Sequence, residues 1–297
     1  FKSLYYNIYR RRDSSDGFII LLSLHFCFND NNLSEYFIAY FVSYFVFSIF
    51  TWFPAMKNIS YQGFHGIKSL FKQVLTYGII IQIANLSQLL NYRLNYYFIE
   101  LCAGRSPLGI YDSGTKISES IWALPKSISS IQYARISNCN DNLIYAKKIT
   151  LAFVKISFLF SIIAIAVLLC LPTSFYIWVF SPEFYEIKYI ITVLAFGVVI
   201  FSVNIILAHY FAGIGKFSIN TIASCIGLIP FIHLFKGMPY LHVLIIVSLV
   251  TSISYFWSFV FTFVCFIKQT KTKFKEFLIL KEDISIVLQE LKKILHR

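Results

Sequence analysis

Apolar residues recur in long runs separated by short polar breaks. Seven runs are comparable to a bilayer-crossing helix: 34–53, 74–101, 108–133, 149–171, 187–212, 217–236 and 241–267. About 20 apolar residues in a helix cross a hydrocarbon core. The pattern therefore predicts an all-α integral membrane protein. A further run, Gly17–Phe28, is shorter and follows Arg10, Arg11 and Arg12 as a signal peptide would. What comes after it is Asn29, Asp30, Asn31 and Asn32 rather than a small-residue cleavage site. It is read as a short first span, giving about eight transmembrane helices.

Charge in the breaks orients these spans. With the first segment inside, the inner breaks hold Lys2, Arg10–Arg12, Lys57, Lys68, Lys72, Arg135, Lys147, Lys148, Lys216 and Lys268–Lys275. The outer breaks hold only Arg105, Lys188 and Lys236 as bases, with Asp30, Glu35, Glu183 and Glu186 as acids. Basic residues mark cytoplasmic loops, so both ends of the sequence are expected in the cytoplasm. Beyond Lys271 the pattern changes. Phe277, Leu280, Ile284, Val287, Leu291 and Ile294 follow steps of three and four, with Lys281, Glu282, Glu290, Lys292 and Lys293 mainly on other faces. This predicts an amphipathic helix, lying on the membrane surface or packed on helix ends or a partner. Residues 66–73 read as a shorter version leading into the next span.

Polar groups inside the runs are the more informative signal, because a charge at the bilayer centre costs about 2.5–3.5 kcal/mol on insertion scales. Run 74–101 carries Gln82, Asn85, Gln88, Asn91, Arg93 and Asn95. Gln82 and Arg93, eleven residues apart, share a helical face. In run 108–133, Asp112, Lys116, Glu119, Ala123, Lys126 and Ser130 step by four and three, forming one stripe. Ile117, Ile121, Leu124 and Ile128 lie opposite. Pro125 should kink this helix and free a backbone carbonyl. Topology places Arg93, Lys116 and Glu119 in the outer half and Lys126 in the inner half. Lys116 and Glu119 either neutralise each other locally as an i,i+3 pair or belong to a wet, net-basic cavity suited to an anionic ligand such as a pyrophosphate. Lys155, early in run 149–171, is expected to snorkel to the headgroups.

Composition agrees with the membrane reading. The chain of 297 residues is 58% hydrophobic and 13% charged, against about a quarter charged for a soluble domain. The net charge of +12 is accounted for by the inner breaks and calls for no nucleic acid. The six cysteines are scattered without metal-ligand or redox spacing. Of the histidines, only His209 lies well inside one of the seven long runs, without a carboxylate or cysteine at ligand spacing. Gly213-Ile214-Gly215-Lys216 lacks the rest of a phosphate-loop pattern and reads as a tight turn. No catalytic constellation or cofactor motif is visible, so a non-enzymatic function is expected.

Residues 68–268 resemble the second half of bacterial polysaccharide flippases, the O-antigen and capsule repeat-unit exporters, whose superfamily also holds multidrug extruders. The resemblance rests on Tyr77-Gly78, Asn91-Tyr92-Arg93, Gly104, Gly109-Ile110-Tyr111, Glu119, Trp122, Leu124-Pro125 and Arg135-Ile136-Ser137. It continues through Phe180–Phe184, Phe211–Lys216 and Ser252-Ile253-Ser254-Tyr255. Three positions depart from the pattern: Asn95 stands for its Asp, Ala134 for its Pro and Ser181 for its Gly. Asn95 weakens the case for a coupling ion at that position.

The resemblance implies one complete six-helix lobe over 74–268. It also implies the last two helices of another lobe over 1–53, with a cytoplasmic linker at 54–73 and an amphipathic tail at 269–297. About four helices of such a protein precede this stretch, so a C-terminal portion is expected. It implies export of undecaprenyl-pyrophosphate-linked oligosaccharide across the bacterial inner membrane by alternating access. Arg93, Lys116 and Lys126 would then hold pyrophosphate or acidic sugar, and Gln82, Asn85 and Gln88 would hydrogen-bond sugar hydroxyls. Glu119 and Asp112 would balance charge, or Glu119 would carry a coupling proton or sodium ion. Membrane lipid and polysaccharide-assembly proteins are the implied partners. The alternatives are a multidrug extruder, which would favour an acidic cavity, a non-functional remnant, and a membrane glycan polymerase or acyltransferase, which needs larger outer loops.

Overall fold

The computed structural model describes residues 67–138, 142–234 and 243–277, together with Phe41, Val42, Phe45, Ser48 and Ile49, all five of them helical. The predicted first span, most of the second and the tail beyond Phe277 lie outside the described residues. The chain divides into two units, residues 1–68 with 292–297 and residues 69–291. All sites below belong to the second.

Regular structure among the described residues is helical throughout. Helix α1 spans Ile67–Ala103, α2 Arg105–Ser120, α3 Ala123–Ser137 and α4 Leu143–Cys170. The short α5, Thr173–Phe180, and a 3₁₀ turn at Pro182–Phe184 lead into α6, Ile187–Gly213. Helices α7, Phe217–Leu234, and α8, Val243–Thr270, follow, then a 3₁₀ turn at Phe274–Phe277. Each apolar run from 74 onward thus corresponds to a helix or, for 108–133, to a pair. Residues 67–73 form the opening turns of α1 rather than a separate helix.

Three segments are long and apolar enough to cross a membrane: Leu143–Cys170, Pro182–Gly213 and Val243–Thr270. Helix α7 holds a shorter apolar segment, Phe217–Phe231. Helix α1 is longer than any of these, but its amides and Arg93 interrupt the apolar pattern.

Helix α6 is the axis of the unit and packs against α2, α3, α4, α5, α7 and α8. Its apolar window is 72% buried, against 33% for α4 at the periphery. Between membrane helices, close packing and hydrogen bonds carry association, because lipid is as apolar as the side chains. The crossing of α6 and α8 shows both. A Cβ on Gly197 would lie 2.7 Å from Ser252 Cα, so only glycine admits this approach. The Ser252 hydroxyl then donates to the Val193 carbonyl at 2.8 Å. Two apolar clusters result, one around Trp122, Phe201 and Tyr255, the other around Phe153, Tyr210, Phe211 and Phe266.

The α6–α7 connection is the tight turn expected from its glycines. Gly215 takes φ +76, which a side chain disfavours, and Lys216 N–H returns to the Phe211 carbonyl at 2.8 Å. At the same end of the bundle, Lys147 on α4 meets Glu276 of the last turn at 2.7 Å.

Candidate functional site

Run 108–133 is broken in two, and the break organises the site. Pro125 has no N–H for the Ile121 carbonyl, and α2 ends at Ser120, just before that carbonyl. The chain tightens there: Trp122 N–H bonds to the Glu119 carbonyl at 2.9 Å, and α3 restarts with Lys126 N–H on the Trp122 carbonyl at 2.9 Å. The Trp122 side chain at the joint is fully buried. Its Nε1–H donates to the Val198 carbonyl at 2.9 Å. Its ring packs on Phe201 at 4.9 Å and Tyr255 at 5.5 Å between centroids. The bend is therefore pinned to α6 and α8.

This places the buried face of α2–α3 against α6: Tyr111, Gly114, Thr115 and Ser118, then Pro125, Ile128, Ser129 and Gln132. Ile121 is buried as well, and Ile117 and Leu124 pack partly against the clusters. The apolar side predicted opposite the stripe is thus the packing side, but it carries hydroxyls and an amide too. The Gln132 Nε2–H donates to Thr150 Oγ1 at 2.8 Å, while its buried Oε1 has no partner.

The predicted stripe lies on the uncovered side. Lys116, Ala123, Lys126 and Ser130 are exposed, and Asp112 and Glu119 are half-buried. Helix α1 brings Arg93 to the stripe through Tyr96. Arg93 Nη1 donates to Tyr96 Oη at 2.6 Å, and its guanidinium lies 4.9 Å above that ring. Tyr96 Oη donates in turn to Asp112 Oδ1 at 2.8 Å. Lys116 Nζ reaches Asp112 Oδ2 at 2.6 Å, and Arg93 Nη1 lies 4.0 Å from Oδ1. One carboxylate thus gathers two cations, leaving the cluster net positive. The local i,i+3 pairing of Lys116 with Glu119 is replaced by the i,i+4 pairing with Asp112, the orientation helices favour. Glu119 instead faces the Tyr255 hydroxyl at 3.4 Å.

Beyond the bend, the chemistry changes from charge to amides. Lys126 Nζ sits 5.5 Å over the Trp122 ring and lines a cavity of about 260 Å³ between α1, α3, α6, α7 and α8. Asn85, Gln88 and Asn91 face it from α1, Asn204 and His209 from α6, and Asn220 from α7. Gln88 Nε2 donates to Tyr92 Oη at 2.7 Å, and Asn91 Nδ2 to the Ser224 carbonyl at 2.7 Å.

The predicted site residues therefore fall into two groups. Arg93, Asp112 and Lys116 come together, with Glu119 further along the same stripe. Asn85, Gln88 and Lys126 meet at the cavity. Gln82 is exposed on α1 and is not part of the cavity wall. Asn95 turns inward, donating to Tyr111 Oη at 2.7 Å. Lys155 is a correction: it is buried inside the bundle, 6% exposed, rather than laid toward a headgroup surface. Tyr96, Asn204 and Asn220 were not singled out from the sequence. Tyr96 had a signal, one helical turn from Arg93. So did Asn204, the one amide in a mostly apolar run.

Among the described residues, no three His, Cys, Asp or Glu side chains gather as metal ligands. Comparison with protein-family models, with curated proteins and with solved structures finds no match to this chain.

Proposed function

We propose that the chain forms one wall of an exporter that moves undecaprenyl-pyrophosphate-linked oligosaccharide across the bacterial inner membrane by alternating access. The observation that carries this reading is the uncovered, net-basic face of Arg93, Lys116 and Lys126 on a bundle with three segments long and apolar enough to cross a membrane. Charges at membrane depth are sustained where they line water or meet a partner. A basic aqueous wall attracts phosphate oxygens, and a guanidinium with an ammonium beside it suits pyrophosphate. Asp112 holds the two cations at a fixed spacing and lowers their net charge, so that an anion can leave as well as bind. An acidic-cavity drug extruder is not favoured by this face.

In this reading the chain has about eight spans, with 74–268 as a six-helix lobe and both ends of the sequence in the cytoplasm. Reporter fusions test the topology: after Lys216 the reporter should be cytoplasmic, and after Arg105 external. The function is tested by Arg93→Glu and Lys116→Glu in the producing cell. Surface glycan should fall sharply at normal protein level. Unchanged glycan with both reversals in place would remove the proposal.

A further inference from the structure

Helix α8 carries an uncovered apolar line along its length. Ile245, Leu249, Ile253, Trp257, Val260 and Val264 follow one another at steps of three and four, and all are exposed. That spacing keeps them on one face. From Ile245 to Val264 the helix rises about 28 Å, close to the thickness of a hydrocarbon core. The next residue on the line, one turn further, is the exposed Lys268. Helix α4 begins at the same end of the bundle, with exposed Ile144 one turn before exposed Lys148.

The chain after α8 does not run away from the bundle. Lys271 takes φ 50, a left-handed conformation that ends a helix and turns the chain. Phe277 then rests against Phe263 of α8, at 5.3 Å between ring centroids, and Glu276 meets Lys147 as described. The exposed Lys271, Lys273 and Lys275 are thereby held beside the ends of α4 and α8. Lys216 joins them from the α6–α7 turn, its Nζ donating to Gln269 Oε1 at 3.0 Å. Over the described residues of α3, α4, α6, α7, α8 and the last turn, Glu276 is the one acid. Lys147 and the Lys273 N–H already occupy its two oxygens. The remaining positive charge at this end therefore has no acid among those residues to balance it.

We propose that this end of the unit binds an anionic glycerophospholipid of the surrounding membrane. An acyl chain lies on the α8 line at Trp257, Val260 and Val264, and the phosphate meets Lys268 and Lys271, with Lys148 and Lys273 adding charge. A soluble anion would leave the apolar line bare, and a zwitterionic lipid would bring its own cation against the lysines. Basic clusters just beyond a membrane helix attract anionic headgroups, each lysine contributing about fivefold in affinity. The bound headgroup bridges the ends of α4 and α8, and so braces the bundle where the last turn closes. This occupant is not the exported cargo, because the line lies on α8 while Arg93, Asp112 and Lys116 lie on α1 and α2. The inference rests on the membrane reading and uses nothing of the export reading.

The test is tryptophan quenching on the full chain in phosphatidylcholine bilayers. Lipids brominated on their acyl chains quench an indole they touch, and the signal missing in Trp257→Phe belongs to Trp257. At equal mole fraction, brominated phosphatidylglycerol should quench Trp257 as though enriched about fivefold or more over brominated phosphatidylcholine. Lys268→Gln, Lys271→Gln and Lys273→Gln together should bring the two lipids level. Arginine at the same three positions should keep the preference, and so should Lys188→Gln at the far end of α6. Equal quenching by the two lipids in the unaltered chain overturns the inference. So does a preference that survives the triple glutamine variant, or displacement of phosphatidylglycerol by inorganic pyrophosphate at matched ionic strength, which marks a soluble-anion site instead. No quenching of Trp257 by either lipid removes the membrane face along with the inference. Arg93→Glu with Lys116→Glu should leave the lipid preference intact, so surface glycan in that variant judges the export reading alone.

Discussion

Lys116 Nζ lies 2.6 Å from Asp112 Oδ2, one helical turn away. That contact draws Lys116 toward Arg93 and away from Glu119, so the cations of α1 and α2 share one carboxylate. The Lys116 side chain is nonetheless 64% exposed, and exposed ion pairs contribute at most about 1 kcal/mol. Lys116→Gln should therefore shift the thermal midpoint little while reducing surface glycan. A midpoint loss as large as a core substitution would show that the pair is structural.

Trp122→Phe removes the Nε1–H donated to Val198 and part of the ring area packed on Phe201 and Tyr255. Removing part of a buried aromatic typically costs about 1–3 kcal/mol. The bend between α2 and α3 should loosen with it, displacing Lys126 relative to Lys116. Thermal unfolding in detergent and a distance measured between spin labels at Ser113 and Ser130 check this. A broadened distance distribution is expected, and an unchanged one would mean that Pro125 alone sets the bend.

Ser181 joins α5 to the 3₁₀ turn with φ 151 and ψ 168. That backbone region is close to glycine-only and costs a side-chain-bearing residue about 1–3 kcal/mol. Glycine adds unfolded-state freedom worth about 0.4–1 kcal/mol, which the relief exceeds. Ser181→Gly should raise the thermal midpoint, in keeping with the glycine implied at this position by the sequence resemblance. A lowered midpoint would count against the strain.

The Lys147 ammonium beside Glu276, with the Lys273 N–H on Oε1 at 2.9 Å, holds the Glu276 carboxyl below its ordinary range. A depressed carboxyl pKa stabilises the folded arrangement above the ordinary value and loses that contribution as pH falls through the depressed one. The turn at Phe274–Phe277 should thus stay docked on α4 at neutral pH and release in acid. Proteolysis at Lys271 and Lys273 across a pH series reads this directly. In Glu276→Gln the acid-dependent step should vanish, with cleavage already raised at neutral pH.

Much of the helical layout was legible from periodicity alone, because burying backbone in an apolar phase demands long helices. The runs at 149–171, 187–212 and 241–267 reappear as α4, α6 and α8 within a few residues. The stripe from Asp112 to Ser130 was legible for the same reason, since spacing by three and four defines a face. The partners of that stripe were not. Lys116 had two acids within one turn, and spacing allowed either.

The sequence by itself determined that the described residues are helical, that α1 and the α2–α3 pair carry polar groups within their apolar runs, and that basic residues outnumber acids there. These follow from local rules: apolar run length, helical period and the cost of charge in lipid. Tertiary structure alone decided the rest. It divided the predicted site into a charged cluster at Arg93 and an amide cavity at Asn204. It buried Lys155, and it turned Asn91 and Asn95 inward. Those outcomes depend on which helix faces meet between residues far apart in the chain, as Asn91 meets Ser224 across 133 positions and Trp122 meets Val198 across 76. No local pattern encodes such contacts, because a helix face records only that it is polar, and packing chooses its partner.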